Sequence, residues 1–260
     1  MRVALVGDII GSPGRRAVRE NLRPLVADFD VDFVVANGEN AAGGIGITRE
    51  VAAELFGMGI DVITMGNHAF GKKEILTFMD QETRILRPAN YPPGVPGHGF
   101  TVMNSRKGHR VAVCTLVGRT FMQPADCPFR AADAVLASLG APGCPVLVDF
   151  HAEATSEKAA LAWYLNGRVA AVTGTHTHVQ TADERVLPGG TAFISDIGMC
   201  GPVDSVIGME RETVVSRFLT GMHSPYQVAD GPYVFSAVLV DCDETTGAAT
   251  RIRRILNYEE

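Results

Sequence analysis

Three times in the first eighty residues, a short apolar run gives way to a polar turn and then to a helix-type segment. Residues 2–7 (RVALVG) read as a buried strand. The turn from Asp8 follows, with Ser12 as a helix N-cap, Pro13 as the first helical residue and an apolar face to about Ala27. Residues 31–36 (VDFVVA) lead through Asn37, Gly38, Glu39 and Asn40 to a helix opened by Thr48 and reaching Gly57. Residues 60–65 (IDVITM) lead through Gly66, Asn67 and His68 to a helix over 72–79. Strand, turn and helix in series is the signature of a parallel α/β sheet. Ligands in such sheets bind beyond the carboxyl ends of the strands, where these turns converge.

The rest of the chain extends the pattern. A proline-rich connection over 85–99 precedes an antiparallel pair, 100–104 and 110–117, and then a loop over 118–124. A helix over 131–139 leads to a strand over 145–150 that delivers His151 and Glu153. After a helix over 156–165, the strand 169–173 ends in Gly174-Thr-His176-Thr-His178. A hairpin over 185–195 ends at Asp196, and further strands are expected over 215–219, 234–241 and 250–256. No fixed repeat, low-complexity tract or linker divides the chain, so one domain over residues 1–260 is expected. A chain of 260 residues can bury about 70–75% of its unfolded surface.

A net charge of −6 argues against a broad grip on nucleic acid and leaves room for a small phosphorylated ligand. No stretch has the length of a transmembrane helix and the start does not read as a cleavable signal, so a cytoplasmic location is expected. Self-association is left open. Five cysteines without a C-x-x-C spacing predict free, buried thiols rather than disulfides or a thiolate zinc site.

Eight polar residues fall at the strand ends: Asp8, Glu39, Asn40, Asn67, His68, His151, His176 and His178. Each has an ordinary explanation alone, as a cap, a turn residue or a satisfied core histidine. The pair His176 and His178 is a weak signal by itself, although residues two apart in extended backbone face the same side. Together the eight make a donor set of oxygen and imidazole without sulfur, suited to zinc, manganese, iron or nickel. Eight groups exceed the needs of one tetrahedral ion, and a carboxylate such as Glu39 can bridge two. Two ions ~3.5–4 Å apart lower the pKa of a shared water and suit in-line attack on phosphorus. Nearby, Arg119 could meet a phosphate and Met122 a base. Asp183 reads as a turn residue, and Asp196 either holds a metal-bound imidazole or caps its loop.

The ordered series Gly7-Asp-Ile-Ile-Gly, Asn37-Gly-Glu-Asn-Ala-Ala-Gly-Gly, Met65-Gly-Asn-His, His151, Gly174-Thr-His-Thr-His and Asp196-Ile-Gly-Met-Cys-Gly-Pro resembles the calcineurin-like metallophosphoesterases. Within them it is most similar to the YmdB-like branch of bacterial phosphodiesterases, over nearly the whole chain. The resemblance implies a four-layer α/β sandwich of mixed sheets flanked by helices, with two metal ions, iron or manganese ahead of zinc, nickel or cobalt. It places Asp8, Glu39, Asn40 and His178 on one ion and Glu39, Asn67, His151 and His176 on the other. His68 would stay off the metals and act on the substrate, as general acid or as an electrostatic partner of the phosphoryl group.

The implied reaction is hydrolysis of a small phosphodiester, 2′,3′- or 3′,5′-cyclic nucleotides foremost, by attack of a metal-bridging hydroxide. The alternatives are a phosphomonoesterase using the same site and a non-catalytic nucleotide sensor. Ile10 stands where the wider superfamily has a histidine, Glu39 where it has an aspartate, and Ala69-Phe70-Gly71 where the branch commonly has an acidic residue. The motif therefore does not reveal what orients His68.

Overall fold

In the computed structural model, which describes residues 1–140 and 143–259, β1 (Arg2–Val6) lies between a parallel and an antiparallel neighbour in the first of two mixed sheets. β3 (Phe33–Asn37), β4 (Val62–Thr64) and β5 (Ile85–Leu86) follow β1 in parallel order, joined through α1 (Gly11–Phe29) and α2 (Arg49–Gly57). On the other side of β1 runs the antiparallel strand β13 (Tyr233–Cys242). It pairs with β14 (Ala249–Tyr258) and with β12 (Met199–Pro202), which continues to the two-residue β2 (Asp8–Ile9).

Among the described residues, the second sheet has six strands. β7 (Arg110–Val117), β8 (Val146–His151), β9 (Ala171–Thr175) and β11 (Ala192–Ile194) are parallel, and the antiparallel β6 (Phe100–Asn104) and β10 (Arg185–Val186) form its edges. The hairpins expected over 100–117 and 185–195 are both present.

Side chains two apart on a strand share a face, and this period sorts the core into layers. Val3, Leu5, Phe33 and Val35 of the first sheet meet Val111, Val113, Leu147 and Ile194 of the second in a continuous apolar interior. The alternate residues Ala4, Val6, Val34 and Ala36 pack outward on Val18 and Leu22 of α1 and Leu55 of α2. Behind the second sheet, Cys114, Val148, Phe150 and Val172 pack on α3 (Pro128–Leu139) and α4 (Thr155–Tyr164). Helix, sheet, sheet and helix are the four layers. All five cysteines are free thiols, four of them buried as expected and Cys127 only partly so. Among the described residues, no helix is long and apolar enough to cross a membrane.

Four expectations change. α1 begins at Gly11 with Ile10 at the cap position, so Ser12 is not the N-cap. The Gly11 N–H instead donates to the Asn40 carbonyl (2.9 Å), tying the helix start to the loop after β3. Residues 72–79 form only a short 3-10 helix (Lys73–Thr77), ending in turns at Phe78. The proline-rich connection contributes the edge strand β5, since Ile85 and Leu86 are both fully buried against β4.

Residues 215–219 belong to a helix, α5 (Arg211–Thr220), not a strand. The run VVSRFL has strand-like composition, yet it packs only Val214 inward and exposes Val215, Phe218 and Leu219. Gly221 in the left-handed region ends the helix by donating its N–H to the Arg217 carbonyl (2.9 Å).

Candidate metal centre

The carboxyl ends of both sheets open on one point, and all eight strand-end residues meet there. Asp8 follows β1, Glu39 and Asn40 follow β3, and Asn67 and His68 follow β4. From the second sheet, His151 ends β8, and His176 and His178 follow β9. Asp8, Glu39 and His151 are completely buried. His151 Nε2 is the hub, at 2.8 Å from Asn67 Oδ1, 3.0 Å from His176 Nδ1 and 3.1 Å from Glu39 Oε1. Gly66 is required because a Cβ there would collide with the His151 ring.

Each imidazole that faces this point is anchored through its other nitrogen. Thr175 donates its hydroxyl proton to Asp149 (2.7 Å), so its oxygen is left to accept from His151 Nδ1 (3.0 Å). His178 Nδ1 donates to the Ile207 carbonyl (2.9 Å), turning Nε2 toward Asn40 (3.4 Å) and Asp8 (3.8 Å). His176 Nε2 meets Glu153 at 3.1 Å, leaving Nδ1 inward. Such outer partners fix the ring orientations that ligation requires.

Charge is concentrated here. Burial raises the Asp8 carboxyl well above its ordinary range against the pull of His151. Burial opposes ionisation of Glu39 as well, but His151 and His68 hold its carboxyl well below the usual range. The His151 ring resists charging through burial, yet Glu39, Asp8 and Asp149 push it up to about 9. His176 falls to about 3, because it is buried beside His151.

The fit to a cation rests on two features. Asp8 Oδ1 is buried with no hydrogen-bond partner among the described residues. Glu39, His151 and His176 each offer one ligand atom, all within 4.8 Å of one another. A buried carboxylate oxygen left without a donor, close to a second carboxylate and to imidazoles, suits a positive ion.

The loop carrying His176 and His178 is under backbone strain, since both residues have positive φ (94° and 65°), uncommon outside glycine. A fully buried ion pair holds it. Lys158 Nζ lies 2.8 Å from Asp196 Oδ2, which also accepts from the Thr177 N–H (3.0 Å) and hydroxyl (2.6 Å). Of the two roles open to Asp196, the contacts are those of a loop cap. Asp196→Asn leaves Lys158 buried with a weakened partner, and removing one member of such a pair costs about 3–5 kcal/mol. A drop in melting temperature of roughly 10 °C is expected by calorimetry, and a change under about 2 °C contradicts this role.

His68 is partly exposed, with its Nδ1 2.8 Å from Asn40 Oδ1 and 3.3 Å from Glu39 Oε1. Its N–H also donates to Glu39 Oε2 (3.1 Å). Asn40 and Glu39 therefore do the orienting for which the motif offered no acidic residue. Ile10, in place of a histidine, is buried in a small apolar cluster with Met199 and Val234.

His68 and Asn67 also line a cleft of about 490 Å³ with Phe70, Tyr91, Gln123 and Pro124. Burial, then the charge of Glu39, pushes the Tyr91 hydroxyl up to about 12, and it donates to the Gly66 carbonyl (3.2 Å). Arg119 and Met122 do not line the cleft. Arg119 is exposed with its N–H on the Glu157 carboxylate, and Met122 packs against the outer face of the second sheet. Residue patterns alone missed Asp149, Thr175, Lys158 and Tyr91. Only Asp149 carried a visible signal, as a carboxylate inside an apolar strand two residues before His151.

The profile of the YmdB-like protein family matches residues 4–255. The chain is 48% identical over 256 residues to the 2′,3′-cyclic-nucleotide 2′-phosphodiesterase of Bacillus subtilis (strain 168), covering 98% of this chain and 97% of that protein. Its fold matches the crystal structure of a hypothetical protein from Thermus thermophilus with a TM-score of 0.93 at 44% identity, covering both chains fully. It also matches that of a novel phosphatase from Mycoplasma pneumoniae, with a TM-score of 0.94 at 30% identity, over 100% of this chain and 94% of the other.

Proposed function

The chain belongs to the YmdB-like protein family, and on that premise we propose that it is a metal-dependent phosphodiesterase with a dinuclear centre, formed by a single domain over residues 1–260. Its substrates are small phosphodiesters, 2′,3′-cyclic nucleotides ahead of 3′,5′-cyclic ones. The observation that supports this most directly is the convergence of Glu39, His151 and His176 beside the unpartnered Asp8 oxygen. Asp8, Asn40 and His178 would hold one ion and Asn67, His151 and His176 the other, with Glu39 shared. When bound, such a pair supplies a water of lowered pKa and neutralises charge developing on the phosphoryl group, with iron or manganese the ions that the family resemblance favours.

The protein's own groups supply the rest. His68 Nδ1–H donates to the Asn40 side-chain Oδ1, so in the imidazolium form Nε2–H is the group that gives its proton to the leaving oxygen, and the ring is left neutral. His151 would keep its hydrogen on Nδ1, toward Thr175, and release the one on Nε2 as a cation binds there. A cytoplasmic setting accords with this reading.

The test is metal analysis of protein purified without chelator, followed by assays with added manganese. Bis-p-nitrophenyl phosphate and 2′,3′-cyclic nucleotides are expected to turn over at least tenfold faster than p-nitrophenyl phosphate. The reverse order would identify a phosphomonoesterase, and no turnover by metal-loaded protein on any of them would point to a sensor.

A further inference from the structure

We propose that the cleft beside His68 is a nucleobase subsite, with Phe70 and Tyr91 as its stacking platform and Gln123 as the group that meets the edge of the base. This rests on the phosphodiesterase reading and goes beyond it by naming what occupies the space next to the phosphoryl group.

The cleft is continuous with the metal centre because Asn67 and His68 belong to both. Its volume of about 490 Å³ is in the range that takes small ligands. Apart from His68, no ionisable side chain other than the Tyr91 phenol lines it among the described residues. A second phosphate or a carboxylate would find no cation there, whereas a neutral ring would lose nothing by entering.

Phe70 and Tyr91 each rest partly on the core of the first sheet, so packed side chains back both rings. Their ring centroids are 5.9 Å apart and the planes are inclined by 34°. That spacing leaves no room for a base between them, so a base stacks on the pair from the cleft side. The Tyr91 hydroxyl bond to the Gly66 carbonyl fixes the platform relative to the strand end that carries Asn67 and His68. On the remaining wall, the exposed Gln123 carries both a donor and an acceptor. A carboxamide can make paired hydrogen bonds to a base edge. Because His68 lines the same cleft, the base lies on the leaving-group side, where the ribose of a 2′,3′-cyclic nucleotide must sit.

The experiment compares affinities rather than rates. Isothermal titration calorimetry on metal-reconstituted protein measures Kd for adenosine 3′-monophosphate and for ribose 3-phosphate locked as its methyl β-furanoside, in which a methoxy group stands in place of the base. The wild type is expected to bind the nucleotide at least tenfold more tightly, as base stacking on an aromatic residue allows. Phe70→Ala and Phe70→Leu should each erase most of that ratio while leaving the ribose 3-phosphate affinity within twofold, and Phe70→Trp should keep it. Equal affinities in the wild type, or a ratio that survives both Phe70→Ala and Phe70→Leu, overturns the subsite. A wild type that shows the base-dependent ratio but hydrolyses no phosphodiester overturns the enzymatic reading and supports the subsite as a binding feature.

Discussion

His68→Ala is expected to lower kcat on 2′,3′-cyclic nucleotides by about 10²- to 10⁴-fold, the range for losing a positioned general acid. Metal content should stay within a few tenths of an ion of the wild type. The separation follows from geometry. The His68 ring approaches the centre only through Nδ1, toward Asn40 and Glu39, and the backbone N–H that bonds Glu39 survives the substitution. A leaving group that needs no proton sharpens the result. With bis-p-nitrophenyl phosphate, whose phenolate departs readily, the loss should shrink by at least tenfold. Unchanged turnover on the cyclic nucleotide removes His68 from the mechanism, and loss of metal along with activity makes it a structural part of the centre.

Glu39→Gln should have the larger effect on composition. The carboxylate contacts His151, His68 and Asn40 from a fully buried position, and it is the group proposed to be shared by both ions. An amide keeps the shape and removes the charge. Metal content is expected to fall from about two ions per chain to below one, with turnover down by about 10³-fold or more, since neither lowered water pKa nor charge neutralisation survives loss of the pair. Elemental analysis with circular dichroism on the same sample decides this. Two retained ions would show that Glu39 is not a bridge.

Much of this centre is legible in the sequence, for a definite reason. In a parallel α/β arrangement the ends of apolar runs are brought to one edge, so Asp8, Glu39, Asn67, His151 and His176 can be placed together from spacing alone. What escapes depends on contacts between segments distant in the chain. Lys158 sits on a helix and looks like a solvated lysine, yet it is fully buried because Asp196, 38 residues later, folds back over it. Tyr91 lies in a proline-rich connection without periodicity, and Asn40 as the partner of His68 follows from two loops meeting. The α5 segment reads as a strand because Phe218 and Leu219 look like core residues, although both are largely exposed.

The pairing of β1 with β13 also sets an order of events during synthesis. Arg2 lies opposite Asp241 and Val6 opposite Ala237, and Asp8 is held in its short ladder by Met199. The central strand of the first sheet thus waits for a partner made more than 230 residues later, and contacts of such separation form slowly. A nascent chain can assemble the second sheet, with its hairpin edges and parallel neighbours, while its earliest strand still lacks one flank. Asp8 takes its final position only after Met199 and the strand β13 beside it have been made, so the proposed metal centre is among the last features of this fold to form.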